Sequence, residues 1–209
     1  MISIIDYGLG NLASVQNMLR KIGVQARIVS TASEIASSES LILPGVGAFD
    51  RGVRLLHARD LWTAISDRVC QGTPILGICL GMQLLTAGSE EGTSAGFGFV
   101  PGFTRRFSIK DDSVFKVPHM GWSFVEVVKP NPLIDAGGDV QKFYFVHSYR
   151  VVLDCGDDEF ARAEHEAPFT AAFQRGLVFG TQFHPEKSHK YGMSLMKKFS
   201  FVTAAETLA

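Results

Sequence analysis

No stretch restricts the fold of this chain more than Thr73-Pro74-Ile75-Leu76-Gly77-Ile78-Cys79-Leu80-Gly81-Met82-Gln83-Leu84-Leu85. Ile75 to Ile78 is a short apolar run with the length and composition of a buried strand. Leu80, Leu84 and Leu85 then recur at helical spacing, and Gly88 is a stop signal. Cys79 stands at the joint, inside a Gly-x-Cys-x-Gly pattern. A strand that turns sharply into a helix strains the residue at the joint, and only small neighbours leave room for it. As chemistry, this is the cysteine form of a nucleophile elbow: the helix N-terminus points at the sulfur, and its dipole and free N–H groups favour thiolate over thiol. As structure alone, Cys79 is a buried cysteine in an ordinary strand–helix unit. The rest of the chain separates the two readings.

Ile2 to Ile5 reads as a first buried strand, and Asp6-Tyr7-Gly8-Leu9-Gly10-Asn11 as a loop. Asn11 is a candidate cap for a helix with the apolar stripe Leu12, Val15, Met18, Leu19 and Ile22, ended by Gly23. Val24 to Val29 is a second strand, which makes a βαβ opening and implies parallel pairing. The Gly8/Gly10 pair lacks the third glycine of a dinucleotide fingerprint, since position 13 is Ala. Ser40 to Leu43 is a third strand, followed by Pro44-Gly45-Val46-Gly47-Ala48-Phe49. That loop lacks the Gly-Lys-Ser/Thr ending of a phosphate loop. It reads either as a tight surface turn or as half of an oxyanion hole, with the N–H of Leu80 as the other half. Phe49 to Val69 is helical by periodicity, with a break near Arg59-Asp60.

After Gly88 the texture changes. Ser89 to Gly96 is polar. Phe97 to Val127 carries short runs rich in Phe and Val, punctuated by Pro101-Gly102, Asp111-Asp112 and Pro118, and reads as several short strands. Lys129-Pro130-Asn131-Pro132 and Gly137-Gly138-Asp139 are turns. Phe143 to Tyr149 is a strand with aromatics at alternate positions, and two more strands follow near Ala171–Gln174 and Val178–Phe183. A last helix is expected from about His189 to Thr203. The expected fold is α/β: a doubly wound, mostly parallel sheet flanked by helices, with an additional mixed or antiparallel strand region in the second half. Without repeats, low-complexity tracts or linkers, residues 1–209 read as a single domain.

The net charge of −1, with both signs interspersed, argues against nucleic acid or an anionic membrane as partner. Met1 to Ile5 is too short, and too soon followed by Asp6, to be a signal peptide. No apolar run approaches the roughly 18 residues of a membrane helix. The three cysteines, Cys70, Cys79 and Cys155, form no metal-like cluster, and their odd number favours a reduced, cytoplasmic setting. No metal and no cofactor are expected.

A cysteine nucleophile needs a base, and the base needs an orienting group. His184 closes a strongly apolar strand and is followed by Pro185-Glu186. In an extended segment positions i and i+2 face the same way, so Glu186 falls behind the imidazole and holds its tautomer. Pro185 stiffens that geometry. Cys79 after an inner strand and His184 and Glu186 after a late one suit a doubly wound sheet, whose strand C-termini gather at one edge. His119 and His147 read more readily as structural than as catalytic. His57, His165 and His189 read as solvated.

Gly77-Ile78-Cys79-Leu80-Gly81-Met82-Gln83, together with Gln182-Phe183-His184-Pro185-Glu186-Lys187-Ser188, resembles the class I, triad-type glutamine amidotransferases. Asp6 to Leu12, Leu43 to Phe49, Val117-Pro118-His119-Met120-Gly121-Trp122 and Tyr144 to Tyr149 resemble the glutaminase-subunit family of imidazole glycerol phosphate synthase, over essentially the whole chain. The resemblance implies that Cys79 attacks the side-chain amide of L-glutamine, and that His184, oriented by Glu186, protonates the leaving ammonia and then activates water. It implies oxyanion contacts from the Leu80 N–H and from a loop N–H near Val46 and Gly47, after a peptide of that loop reorients. It further implies that Gln83 and Glu91 bind the amino-acid part of the substrate. Backbone at His147, Ser148 and Tyr149 is placed near its carboxylate, and Gly45 along the pocket. The implied partner is a β/α-barrel cyclase subunit, which receives the ammonia through a tunnel and forms imidazole glycerol phosphate and an aminoimidazole carboxamide ribotide in histidine biosynthesis. Asn11, Trp122, Tyr144 and Lys187 match positions facing that partner. Ser123 stands where the family usually has Asn, near the expected interface. The rival expectations are a paralogous glutaminase feeding another acceptor, as in surface-sugar biosynthesis, and a catalytically silent regulatory subunit.

Overall fold

The computed structural model describes residues 1–111, 113–135 and 141–203; the expected turn at Gly137-Gly138-Asp139 and Asp112 lie outside the described residues. The first half alternates strand and helix: β1 (Ile2–Ile5), α1 (Leu12–Lys21), β2 (Ala26–Val29), α2 (Ala32–Ala36), β3 (Ser40–Gly45), α3 (Phe49–Ala58), α4 (Leu61–Cys70), β4 (Ile75–Cys79) and α5 (Leu80–Leu84). The second half is mainly strands: β5 (Gly102–Arg106), β6 (His119–Val127), β7 (Gln141–His147), β8 (Tyr149–Leu153), β9 (Glu159–His165), β10 (Ala167–Arg175) and β11 (Val178–Thr181), followed by a tight turn at Pro185–Lys187 and α6 (His189–Phe199).

Nine strands form one sheet in the order β2-β1-β3-β4-β11-β10-β9-β6-β7. Pairings from β2 to β11 are parallel, and those from β11 to β7 antiparallel. The second-half strands therefore extend the parallel sheet rather than standing apart, except β5 and β8, which pair with each other in a second, two-stranded sheet. Both faces of the parallel part are covered. Leu41 and Leu43 of β3 join the apolar cluster containing Val53, Leu56 and Ile65 of α3 and α4. Ile42 joins the cluster containing Val15 and Leu19 of α1 and Leu195 and Phe199 of α6. A strand buried on both faces reads as a continuous apolar run, which is why β1, β3 and β4 stand out in the sequence.

Local chemistry sets the ends. Asn11 Oδ1 accepts from the Ser14 N–H and caps α1. The Val24 N–H is taken by the Leu19 carbonyl in the helix exit, with Gly23 at φ +73, so β2 begins at Ala26 rather than at Val24. Asp60, in the left-handed conformation at φ 57, separates α3 from α4 where the break is expected. The helix α2 was not expected, although Thr31 and Glu34 form a reciprocal capping box there. The strand expected over Phe143–Tyr149 splits at Ser148, whose carbonyl accepts from the Phe107 N–H as the chain leaves the large sheet for the small one. α6 stops at Phe199, short of Thr203: Phe201 and Val202 bond back three residues, which tightens the turn and returns Val202 to the core. α5 ends after five residues, well before Gly88, so its dipole acts on Cys79 only weakly. Among the described residues, no helix is long and apolar enough to cross a membrane.

Candidate active site

Cys79 sits at the C-terminal end of β4 with φ 54 and ψ −107, a conformation that side-chain-bearing residues rarely adopt. The flanking glycines make it possible. A Cβ on Gly77 would lie 2.6 Å from the backbone of Gly81, and one on Gly81 would overlap the carbonyl oxygen of Leu43 on the neighbouring strand. The elbow is therefore clamped between β3 and its own helix. The Cys79 sulfur lies 4.0 Å from the Val146 carbonyl oxygen and receives a hydrogen bond from Gln182 Nε2 at 3.6 Å.

His184 follows β11, the parallel neighbour of β4. Its N–H bonds to the Tyr144 carbonyl at 2.9 Å, and its carbonyl accepts from the Ser188 hydroxyl at 2.6 Å. The backbone of His184 is thus held on both sides. Nδ1 meets Glu186 Oε1 at 2.7 Å, with both side chains buried. His184 Nε2 has no hydrogen-bond partner among the described residues. Burial disfavours the imidazolium, but the Cys79 sulfur and the Glu186 carboxylate outweigh it and lift His184 to about 10.

A cavity of about 400 Å³ opens over the sulfur. It is lined by Val46 and Gly47 of the glycine-rich loop, by Cys79, Leu80 and Gln83 of the elbow, by Glu91, and by His147, Ser148 and Tyr149 at the end of β7. Ala48, Pro118 and Val146, which the sequence does not mark as site residues, complete the lining. Gly45 lies beneath instead: a Cβ there would run into the Tyr7 hydroxyl and the side chain of Leu80. Gln83 Nε2 donates to Gln182 Oε1 at 3.2 Å and to the Tyr149 carbonyl at 3.4 Å. Glu91 Oε2 accepts from the Phe49 N–H at 2.9 Å, so it caps α3 while facing the cavity.

Three residues beyond that lining also escape sequence reasoning. Gln182 is fully buried and joins Gln83 to Cys79; its signal is a polar residue in the otherwise apolar run before His184. Asp50 accepts from the N–H groups of Thr93 and Ser94 and so holds the segment that carries Glu91; those bonds keep its carboxyl below the usual range. Tyr7 is fully buried, with a hydroxyl that finds no partner among the described residues. Burial raises its phenol, and the Cys79 sulfur adds to the effect.

The residues expected to face a partner lie in three places. Trp122 stacks on His189 at 5.4 Å, meets Tyr144 edge-on at 6.2 Å, and Lys187 Nζ lies 5.5 Å from the Tyr144 ring centre. His189 is exposed but belongs to this aromatic group rather than standing alone in solvent. Asn11 is exposed at the head of α1. Ser123 departs from expectation. It lies on the opposite face of β6 from Trp122, and its hydroxyl bonds to the His119 ring at 2.9 Å. His165 is half-buried, with its ring stacked 4.3 Å from that of His119.

Residues 3–203 match the family model described as glutamine amidotransferase class-I. The chain is 46% identical over 200 residues to imidazole glycerol phosphate synthase subunit HisH 2 of Methanococcus maripaludis, covering 95% of this chain and 98% of that one. It is 45% identical over 200 residues to the protein of the same name from Pseudomonas aeruginosa, with the same coverage. It is 40% identical over 210 residues to subunit HisH of Salinibacter ruber, covering 99% and 96% of the two chains. Among solved structures, a chain of PurLQS from Thermotoga maritima superposes with a TM-score of 0.72 at 20% identity, over 95% of this chain and 96% of that one. A glutamine amidotransferase crystal structure does so with a TM-score of 0.67 at 18% identity, over 94% and 98%. These two structures support the fold; the family model and the sequence relatives carry the assignment, and the chain belongs to the class-I glutamine amidotransferase family, among its HisH subunits.

Proposed function

We propose that the chain hydrolyses L-glutamine to glutamate and ammonia through Cys79, His184 and Glu186, and delivers the ammonia to the cyclase subunit of imidazole glycerol phosphate synthase in histidine biosynthesis. The observation that carries this reading is the buried His184–Glu186 pair beside a strained cysteine that lines a cavity of about 400 Å³. The Cys79 thiolate attacks the side-chain amide carbon, and the carbonyl electron pair moves onto oxygen. The Leu80 N–H and a loop N–H at Val46 or Gly47 receive that oxyanion. His184, held protonated, gives its proton to the amide nitrogen as the C–N bond breaks, releasing ammonia and leaving a γ-glutamyl thioester. Neutral His184 then takes a proton from water, whose oxygen attacks the thioester carbon. Collapse expels the thiolate and releases glutamate. Glu186 keeps Nδ1 as the hydrogen-bearing nitrogen facing it, so that Nε2 serves both proton transfers.

The partner surface is proposed on β6 and its neighbours. Trp122 is 45% exposed and Met120 63%, on the same outward face, beside Tyr144, Lys187 and His189. An exposed aromatic and methionine group of this kind suits a protein–protein contact. Asn11 and Lys187 supply polar contacts at its rim.

The test is glutamate release from glutamine, measured for the chain alone and with the cyclase subunit and its nucleotide substrate. Glutamate release that rises with the cyclase supports the reading. Release driven by a different acceptor enzyme moves the chain to a paralogous role. No release under any condition, with Cys79 inert toward a glutamine analogue that alkylates thiolates, overturns the glutaminase reading.

A further inference from the structure

His119 and His147 are register partners on β6 and β7, and both rings are buried. Each uses both of its nitrogens. His147 Nδ1 lies 2.7 Å from the Tyr149 carbonyl oxygen, His147 Nε2 lies 3.1 Å from His119 Nδ1, and His119 Nε2 lies 2.9 Å from Ser123 Oγ. Proton positions along this chain follow from its inner end. A carbonyl oxygen only accepts, so His147 Nδ1 bears hydrogen. Burial holds His147 down at about 3 and His119 at about 4, so each ring is neutral near pH 7 and has a single N–H. His147 Nε2 must then accept from His119 Nδ1. His119 Nε2 must in turn accept, and the Ser123 hydroxyl donates. All three hydrogens point the same way, from Ser123 on β6 to the carbonyl of Tyr149.

Tyr149, which carries that carbonyl, belongs to the wall of the cavity over Cys79. The same carbonyl also accepts from Gln83 Nε2, while the preceding carbonyl, that of Ser148, is held by the Phe107 N–H at 3.1 Å. In a trans peptide the N–H points opposite to the C=O, so pinning these two carbonyls fixes the direction of the Tyr149 N–H and of the peptide that follows. The lone serine hydroxyl is the outermost donor of the array. Its hydrogen could equally come from an amide, but not from a methyl group.

We propose that Ser123, His119 and His147 form a one-directional positioning relay that holds the Ser148–Tyr149 segment in the orientation that receives the carboxylate end of glutamine. Ser123 is a positioning residue for substrate affinity and touches no reacting atom. The inference rests on the reading of this cavity as the glutamine site. It places a determinant of glutamine affinity on the strand that also carries Trp122, at the face turned away from the proposed partner surface.

The experiment uses the chain in complex with its cyclase subunit. Ser123→Ala leaves His119 Nε2 unpaired and is expected to raise KM for glutamine about tenfold, with kcat within about twofold of wild type. Ser123→Asn restores the donor and is expected to bring KM back to within about threefold of wild type. Proton–nitrogen correlation spectra of the wild-type rings at pH 7 give an independent readout: both His119 and His147 are expected as Nδ1–H tautomers. An unchanged KM in Ser123→Ala, a KM in Ser123→Asn as high as in Ser123→Ala, or an Nε2–H tautomer at either ring overturns the relay. If the wild-type complex releases no glutamate, the glutamine reading fails and the substrate role falls with it, while Nδ1–H tautomers in the same sample would show that the hydrogen-bond array itself is intact.

Discussion

His184 Nδ1 and Glu186 Oε1 meet at 2.7 Å with a single proline between the two residues. The strand ends at Thr181, and the chain turns tightly through Pro185–Lys187, so the carboxylate swings back under the ring it follows. The contact is local in sequence, but its partner sulfur comes from the adjacent parallel strand. Parallel pairing of β4 with β11 therefore assembles the site, and the short-range pair then orients it.

Replacing Glu186 by Gln keeps the shape and removes the charge. The carboxylate is one of the two groups that hold His184 at about 10 against burial, so its loss lowers the histidine. The proton donor for the leaving ammonia is then lost at a lower pH, and the alkaline limb of the kcat profile moves toward neutrality. Glutamate release at pH 7 is expected to fall by about 100-fold or more. An unshifted alkaline limb would show that Glu186 does not govern His184.

Gly81→Ala tests the clamp around the elbow. The added methyl group would overlap the Leu43 carbonyl oxygen, a backbone atom inside the sheet that cannot rotate away. Overpacking against backbone is expected to destabilise the fold by about 3 kcal/mol, seen as a lower denaturant midpoint, with activity lost through displacement of Cys79. A Gly23→Ala control places its methyl in open space, so any loss there reflects the positive φ alone.

What could be read from the sequence follows the range of the interactions involved. β1, β3 and β4 announce themselves because burial on both faces demands unbroken apolar runs. Cys79 is marked by the glycines of a strained elbow and His184 by the acid two residues on, although the pair meets through the tight turn at Pro185–Lys187 and not through the extended geometry that the spacing suggests. β9 is not legible: Glu159, Phe160 and Ala161 are buried in succession, which breaks the apolar–polar alternation, and Ala161 and Ala163 carry little strand character. The step at Ser148 depends on the distant Phe107 N–H, and the Gln182 bridge depends on β4 lying next to β11. His119 and His147 read individually as structural residues; their linkage to Ser123 appears only once β6 and β7 are placed in register.

The buried histidines also set an acid limit. His119 and His147 are depressed by burial to about 4 and about 3, against about 6.5 in an unfolded chain. Between those values the unfolded chain binds more protons than the folded one, so stability falls as pH drops from about 6.5 toward 4. Each ring adds at most about 1.4 kcal/mol per pH unit to that slope. Denaturant titrations at pH 7, 6 and 5 should show the decline, and His119→Gln should flatten it, whatever the variant does to the absolute midpoint. An equal slope in wild type and variant would mean that His119 is protonated in the folded state as readily as in the unfolded one.

The partner surface yields the last prediction. Trp122 is half-exposed yet ordered by His189 on one side and Tyr144 on the other. A large aromatic already held in its rotamer loses little entropy when a partner covers it, which is the usual character of a residue that dominates an interface. Phe124, although 56% exposed, has Lys142 Nζ 4.1 Å from its ring centre and is partly shielded by it. Trp122→Ala is therefore expected to weaken binding of the cyclase subunit by about 30-fold or more, measured by calorimetric titration, whereas Phe124→Ala changes it by about threefold or less. Because the Trp122 side chain lies outside the cavity, direct alkylation of Cys79 in the isolated chain should proceed at the wild-type rate. The reverse ranking of the two variants would move the docking surface along β6, away from the aromatic group and toward its Val127 end.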